Sequence, residues 1–190
     1  MKILLSVLVA FLLSACGLAP WAGSPPTFTL ESKDGDQNAV QGSYCIDRGG
    51  RGECNDYPAV FPKEVTVVAA GDEVSFVMAG AAVVRSSRCH SETEQDCIGW
   101  VMVRPLGCEG PDVVESVPLA VGHETHWTVD LDPGAYQLDV FSHFASSGAS
   151  GDVSGSLGLV VAENPATVGG PGVLEVQPSM QVCPFDVATE

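Results

Sequence analysis

Apolar and polar residues alternate along most of this chain, and the period is two rather than three to four. Trp127, Val129 and Leu131 alternate with polar neighbours, as a half-buried strand requires. Asp132-Pro133-Gly134 breaks that run, because Pro fixes φ and Gly permits positive φ. Tyr136, Leu138 and Val140 then share one face, with Gln137 and Asp139 on the other. Ala145 to Asp152, built of Ala, Ser, Gly and Asp, reads as a loop, and Leu157, Leu159 and Val161 restart the period. This stretch predicts three consecutive antiparallel strands. Upstream, Val65 and Val67, then Val74, Phe76 and Met78, alternate on either side of Ala70-Gly71-Asp72, which predicts a β-hairpin. Ile98 to Arg104 is apolar on both faces and predicts a buried strand. Shorter strands are expected at Phe28–Leu30 (an edge), Ala82–Arg85, Val113–Val117, Val173–Val176 and Met180–Phe185, while Glu31 to Gln41 reads as turn-rich. From Phe28 onward no helical period is sustained, and Gly or Pro recurs every ten or so residues. That spacing predicts an all-β antiparallel sandwich. Its core should include Tyr136, Leu138, Val140, Leu157, Leu159, Phe76 and Trp127, with Gln137, Asp139 and Ser156 more exposed.

The first residues change the picture. Met1-Lys2 is followed by an apolar run from Ile3 to Leu13, interrupted only by Ser6. The run is shorter than the roughly 20 residues that span a bilayer and has the length of a signal peptide. It ends in Leu13-Ser14-Ala15-Cys16-Gly17, which resembles the lipobox of bacterial lipoproteins. The resemblance implies diacylation of Cys16 and cleavage before it. It implies residence at the bacterial cell membrane or outer membrane, facing the periplasm or exterior. Gly17, in place of Asp, lacks the inner-membrane retention signal known in some Gram-negative bacteria. Two or more acyl chains make such an anchor stable, whereas one is marginal. Residues 1–15 are then the signal, residues 16–27, rich in Pro, a lipidated tether, and residues 28–190 the folded domain. Gly42-Ser43-Tyr44-Cys45 followed by Cys54-Asn55-Asp56 is similar to a block in small exported bacterial lipoproteins. Leu131-x-Pro-Gly-x-Tyr136 resembles a turn of immunoglobulin-like sandwiches, in which the Tyr hydroxyl bonds back to the backbone. That resemblance implies an immunoglobulin-like β-sandwich and carries no active site.

Loss of Lys2 with the signal leaves seven basic residues against 24 acidic ones, a net charge of −17. Nucleic-acid binding needs a basic footprint and is disfavoured. The globular part shows no basic patch for lipid either, so the membrane partner is met through the anchor at Cys16. Six other cysteines remain, Cys45, Cys54, Cys89, Cys97, Cys108 and Cys183, an even number in an exported chain with fifteen possible pairings. No Cys-x-x-Cys occurs to suggest a zinc ribbon or a redox site.

Other chemistry is thin. His123 and His126 are i and i+3, which in a strand places them on opposite faces; His143 or His90 would have to join them by folding. Asp34-x-Asp36-x-Asn38 starts like a calcium loop but has Ala39 where Gly is needed and Cys45 where Glu is needed. No Gly-x-Ser-x-Gly elbow appears, and Met180 and Cys183 lack the His of a copper site. No cofactor is implied. The expectation is a non-catalytic binding or structural module with a protein or cell-envelope partner, meeting it through loops such as Ala145–Asp152 and Cys89–Cys97. The alternatives are a protease inhibitor presenting a stapled loop and a metal-binding protein using His123, His126 and His143.

The cysteine spacing generates a direct test. Ile46 to Glu53 is too polar and glycine-rich for a core of its own, so Cys45–Cys54 is expected as a local bridge contributing roughly 2–4 kcal/mol. The same reasoning pairs Cys89–Cys97 and leaves Cys108–Cys183; the competing scheme joins Cys97 or Cys89 to Cys183. Non-reducing peptide mapping should recover a Cys45–Cys54 fragment. A Cys89–Cys108 link would sink the second half of the scheme only.

Overall fold

A computed structural model describes residues 24–57, 62–80, 97–106, 112–122, 124–146, 148–168, 170 and 172–175. Twelve strands lie among them. The first six are β1 (Thr27–Ser32), β2 (Gly35–Asn38), β3 (Val40–Asp47), β4 (Gly52–Asn55), β5 (Glu64–Val68) and β6 (Glu73–Ala79). The rest are β7 (Cys97–Pro105), β8 (Glu115–Ala120), β9 (Glu124–Thr128), β10 (Gly134–Ser146), β11 (Ala149–Val161) and β12 (Gly172–Glu175). A single 3-10 turn, Pro165–Val168, is the helical content of the described residues.

Two sheets result. The smaller has the order β2-β1-β6-β9; the larger runs β12-β5-β11-β10-β7-β8, with β3 and β4 added beside β11. The inward residues of both sheets form one core: Phe28, Leu30, Phe76 and Trp127 from the smaller, and Val101, Val103, Leu138, Val140, Leu157 and Leu159 from the larger. Phe76 and Trp127 stack with centroids 5.9 Å apart, and the Trp127 indole N–H donates to Glu115 Oε1 at 3.0 Å. Of the expected core residues, Tyr136 alone stays half-buried. Its hydroxyl donates to the Asp132 carbonyl at 2.7 Å, the backbone bond that the Pro-Gly turn suggested. Burial, with the Asp132 charge nearby, raises the phenol pKa.

Most expected strands form near where the alternation placed them, β8 beginning at Glu115 rather than Val113, while β2, β3 and β4 were not expected, and several partners differ. β5 and β6 are not a hairpin: β6 pairs with β1 and β9, whereas β5 pairs with β11 and β12 in the other sheet. The Gly-Asp turn between them therefore crosses the sandwich. Gly71 takes φ 86° there, Asp72 N–H bonds to Ala69 O, and Gly71 N–H and Val129 N–H tie the turn to the strand end after β9. β9 likewise belongs to the smaller sheet, so Asp132-Pro133-Gly134 is a second crossing, and β9, β10 and β11 are not one meander. β1 is an interior strand, flanked by β2 formed from the stretch read as turns. One pair is parallel, β5 with β11, and β3 pairs antiparallel further along the same edge of β11.

Ala145–Asp152 is not a loop. β10 and β11 pair through Ser146↔Ala149, and the chain reverses at Gly148 with φ 105°. The small residues serve close strand approach: a Cβ on Gly151 would collide with the Cys45 carbonyl oxygen of β3. β7 is likewise not buried on both faces, since Trp100, Met102 and Arg104 alternate as half-buried positions. Expected strands Ala82–Arg85 and Met180–Phe185 lie outside the described residues.

A buried polar clasp joins the sheets at one side. Gln37 on β2, 1% exposed, donates from Nε2 to Glu64 O at 2.6 Å, and Thr66 on β5, fully buried, donates from Oγ1 to Gln37 Oε1 at 2.9 Å. Both amide ends are satisfied, so burial costs little.

Two outcomes follow. Leu138 is 0% exposed in the middle of β10, and Leu138→Ala should lower unfolding free energy by about 2–5 kcal/mol in a denaturant titration. A change within about 0.5 kcal/mol, as at surface sites, would show the face is assigned wrongly. Asp72 accepts from Lys33 Nζ at 2.7 Å and from Ala69 N–H at 2.8 Å, and these bonds, the lysine's foremost, hold its pKa below the ordinary 3.8. A depressed native pKa contributes stability above the unfolded value and loses it as pH falls through the native one. Asp72→Ala should therefore melt at lower temperature than wild type at pH 7, with the gap closing in acid below 3.8. A gap independent of pH would refute the assignment.

Candidate functional site on the outer face of the larger sheet

The alternation that fills the core sends every second residue of β7, β10 and β11 to the other side of the larger sheet. Register then decides which of them meet. Gln137 lies opposite Arg104, Asp139 opposite Met102, and Phe141 opposite Trp100; on the other flank Asp139 faces Ser156 and His143 faces Asp152. Three zones follow along β10.

At the start of β10 the outer face is apolar, with Val65, Val67, Leu106, Val160 and Ala162 forming a second, smaller core. Gly158 permits it: a Cβ there would stand 2.6 Å from Val65 Cγ1. Next comes a polar network. Arg104 Nη2 lies 2.6 Å from Asp139 Oδ2, while Gln137 Nε2 and Ser156 Oγ both donate to Asp139 Oδ1, at 2.7 and 2.8 Å. Gln137 points outward as the alternation requires yet is only 6% exposed, contrary to expectation, because it is a member of this network.

The third zone is aromatic. Trp100 and Phe141 have ring centroids 5.1 Å apart at 31°, and Phe141 meets the His143 ring edge-on at 5.1 Å and 88°. His143 is oriented through Nδ1 by Asp152, with both side chains about two-fifths exposed. Its Nε2 has no partner among the described residues, and neither has the Trp100 indole N–H, unlike that of Trp127. Ser154, beside Phe141, is committed to Ser43 O at 3.0 Å. The zone thus brings half-buried aromatic rings beside hydrogen-bonding groups.

Residues expected from sequence fall elsewhere. Cys45 and Cys54 are bridged directly across β3 and β4, Cα atoms 4.1 Å apart. Cys97 is buried at the start of β7 and disulfide-bonded. Cys16, Cys89, Cys108, Cys183, His90 and His123, with the proposed contact loop Cys89–Cys97 up to its last residue, lie outside the described residues. His126 sits on the outer face of the smaller sheet, its Nδ1 2.9 Å from Ser75 Oγ, with Glu73 and Glu124 each at 3.7 Å. His143 is on the outer face of the other sheet, so the core separates it from His126 and the two cannot share a metal. Among the described residues no three His, Cys, Asp or Glu side chains converge as a metal site would need.

The aromatic zone escaped the sequence reading. Its signal was present: Gln137, Asp139, Phe141 and His143 continue one period of two, and the solvent side of that strand carries rings. No family model matches this chain, and no curated protein matches it.

Proposed function

We propose that this chain is an exported bacterial lipoprotein, anchored through acyl chains on Cys16, whose domain is a non-catalytic binding module of the cell envelope. The sandwich is of immunoglobulin-like type in this reading, supported by the Tyr136 bond to Asp132 O beside the Pro-Gly turn. The contact surface is the outer face of the larger sheet rather than the loops. One observation carries that choice: a row of rings, Trp100, Phe141 and His143, stands on the solvent side of strands whose other side already fills the core. The solvated face of an antiparallel sheet is commonly polar.

The stapled-loop inhibitor draws no support from the loop that is described. Arg48 N–H bonds to Arg51 O and Gly50 N–H to Asp47 Oδ1, so the Cys45–Cys54 loop is a closed hairpin whose backbone bonds to itself.

Wild-type protein should sediment with membranes and carry acyl groups on its mature N-terminus by mass spectrometry, and Cys16→Ser should release it or leave it unprocessed. An unmodified, unanchored wild-type chain would overturn the lipoprotein reading. Detergent-solubilised protein should be retained on isolated cell-envelope material, and Trp100→Ala together with Phe141→Ala should remove most of that retention.

A further inference from the structure

Resting on that binding reading, we infer that the Trp100–Phe141 row is a stacking platform for the sugar rings of a neutral cell-envelope polysaccharide. A pyranose ring has an apolar face of C–H bonds, positive at its hydrogens, and a rim of hydroxyls. The face suits the negative π-surface of an aromatic ring. The rim needs donors and acceptors beside the ring. Both are present: two adjacent rings 5.1 Å apart, with the indole N–H and His143 Nε2 unpartnered among the described residues, and the carboxylate of Asp152 at the border.

Charge narrows the ligand. Among the described residues of β7, β10 and β11, the one arginine, Arg104, is matched by Asp139, and His143 lies against Asp152. A polyanion would need unmatched cations, and stacked nucleic acid would need a cationic funnel. The chain as a whole carries −16. A folded protein partner would want a broad dry patch with a hydrophobic centre. Here the aromatic row is narrow, with the Arg104–Asp139 network on one side and the His143–Asp152 pair on the other. The anchor narrows the source. From Cys16 to Thr27 an extended chain reaches at most about 40 Å, so an anchored domain meets polymer close to the membrane.

The test uses detergent-solubilised full-length protein and short cello-, manno- and chito-oligosaccharides, with oligogalacturonate as the acidic control. Tryptophan fluorescence and calorimetry should show binding to at least one neutral oligosaccharide, little affected by salt. Trp100→Ala and Phe141→Ala should each weaken it roughly tenfold or more, and Trp100→Phe should recover part of the loss. Circular dichroism and melting temperature establish that each variant is folded. Should no neutral oligosaccharide bind while envelope retention still falls in the variants, the sugar assignment is overturned and the binding face stands. Retention that disappears once the envelope is stripped of protein overturns the sugar in favour of a protein ligand. If folded variants are retained as well as wild type, the sugar and the binding face both fall.

Discussion

Because Leu138 and Val140 of β10 and Leu157 and Leu159 of β11 all fall on one face of a single antiparallel ribbon, their burial sets the position of nearly everything else. β7 takes its register from β10, and β3 and β5 share the remaining edge of β11. A slip of one residue in this ribbon would turn four fully buried side chains to solvent and bring Gln137, Asp139 and Ser156 into the core. At roughly 1.5–3 kcal/mol for each large apolar side chain, that exchange is prohibitive. The same burial determines what is left outside, so the candidate site is the complement of the core and not an addition to it.

The smaller sheet depends on the larger in two ways. Phe28, Leu30, Phe76 and Trp127 supply the apolar contact, which is non-directional. The Gln37–Thr66–Glu64 clasp supplies direction, because an amide with two satisfied ends fits one arrangement of β2 over β5. Crossings at Ala69–Asp72 and Asp132–Gly134 then carry the chain between layers within a few residues.

Strand existence was legible because inward and outward residues alternate with a period that neighbouring strands do not alter. Strand partnership was not. Val65 and Val74 read identically whether the turn between them reverses the chain within one sheet or carries it to the other, and the difference lies in hydrogen bonds from Gly71 and Val129. Small residues misled for a related reason: Gly151 and Ala149 look like loop composition, yet they are small because β3 and the core leave no room. The site was half legible. Phe141 and His143 follow from the period of β10, but their meeting with Trp100 and Asp152 depends on register across residues 41 and 9 positions away in sequence. No local pattern contains that information.

The placing of β3 against β11 has a kinetic consequence. Cys45 lies across from Asp152, and Ser43 O accepts from Ser154 more than a hundred residues later. The entropy of closing so large a loop must be met before the pairing yields anything in return. Domains dominated by such contacts fold in milliseconds to seconds rather than microseconds. The β10–β11 ribbon, whose strands are joined by a tight reversal at Gly148, is the local unit that can assemble early. The N-terminal strands must wait for it. A chain emerging from the ribosome therefore cannot complete the larger sheet until residues 134–161 have been made.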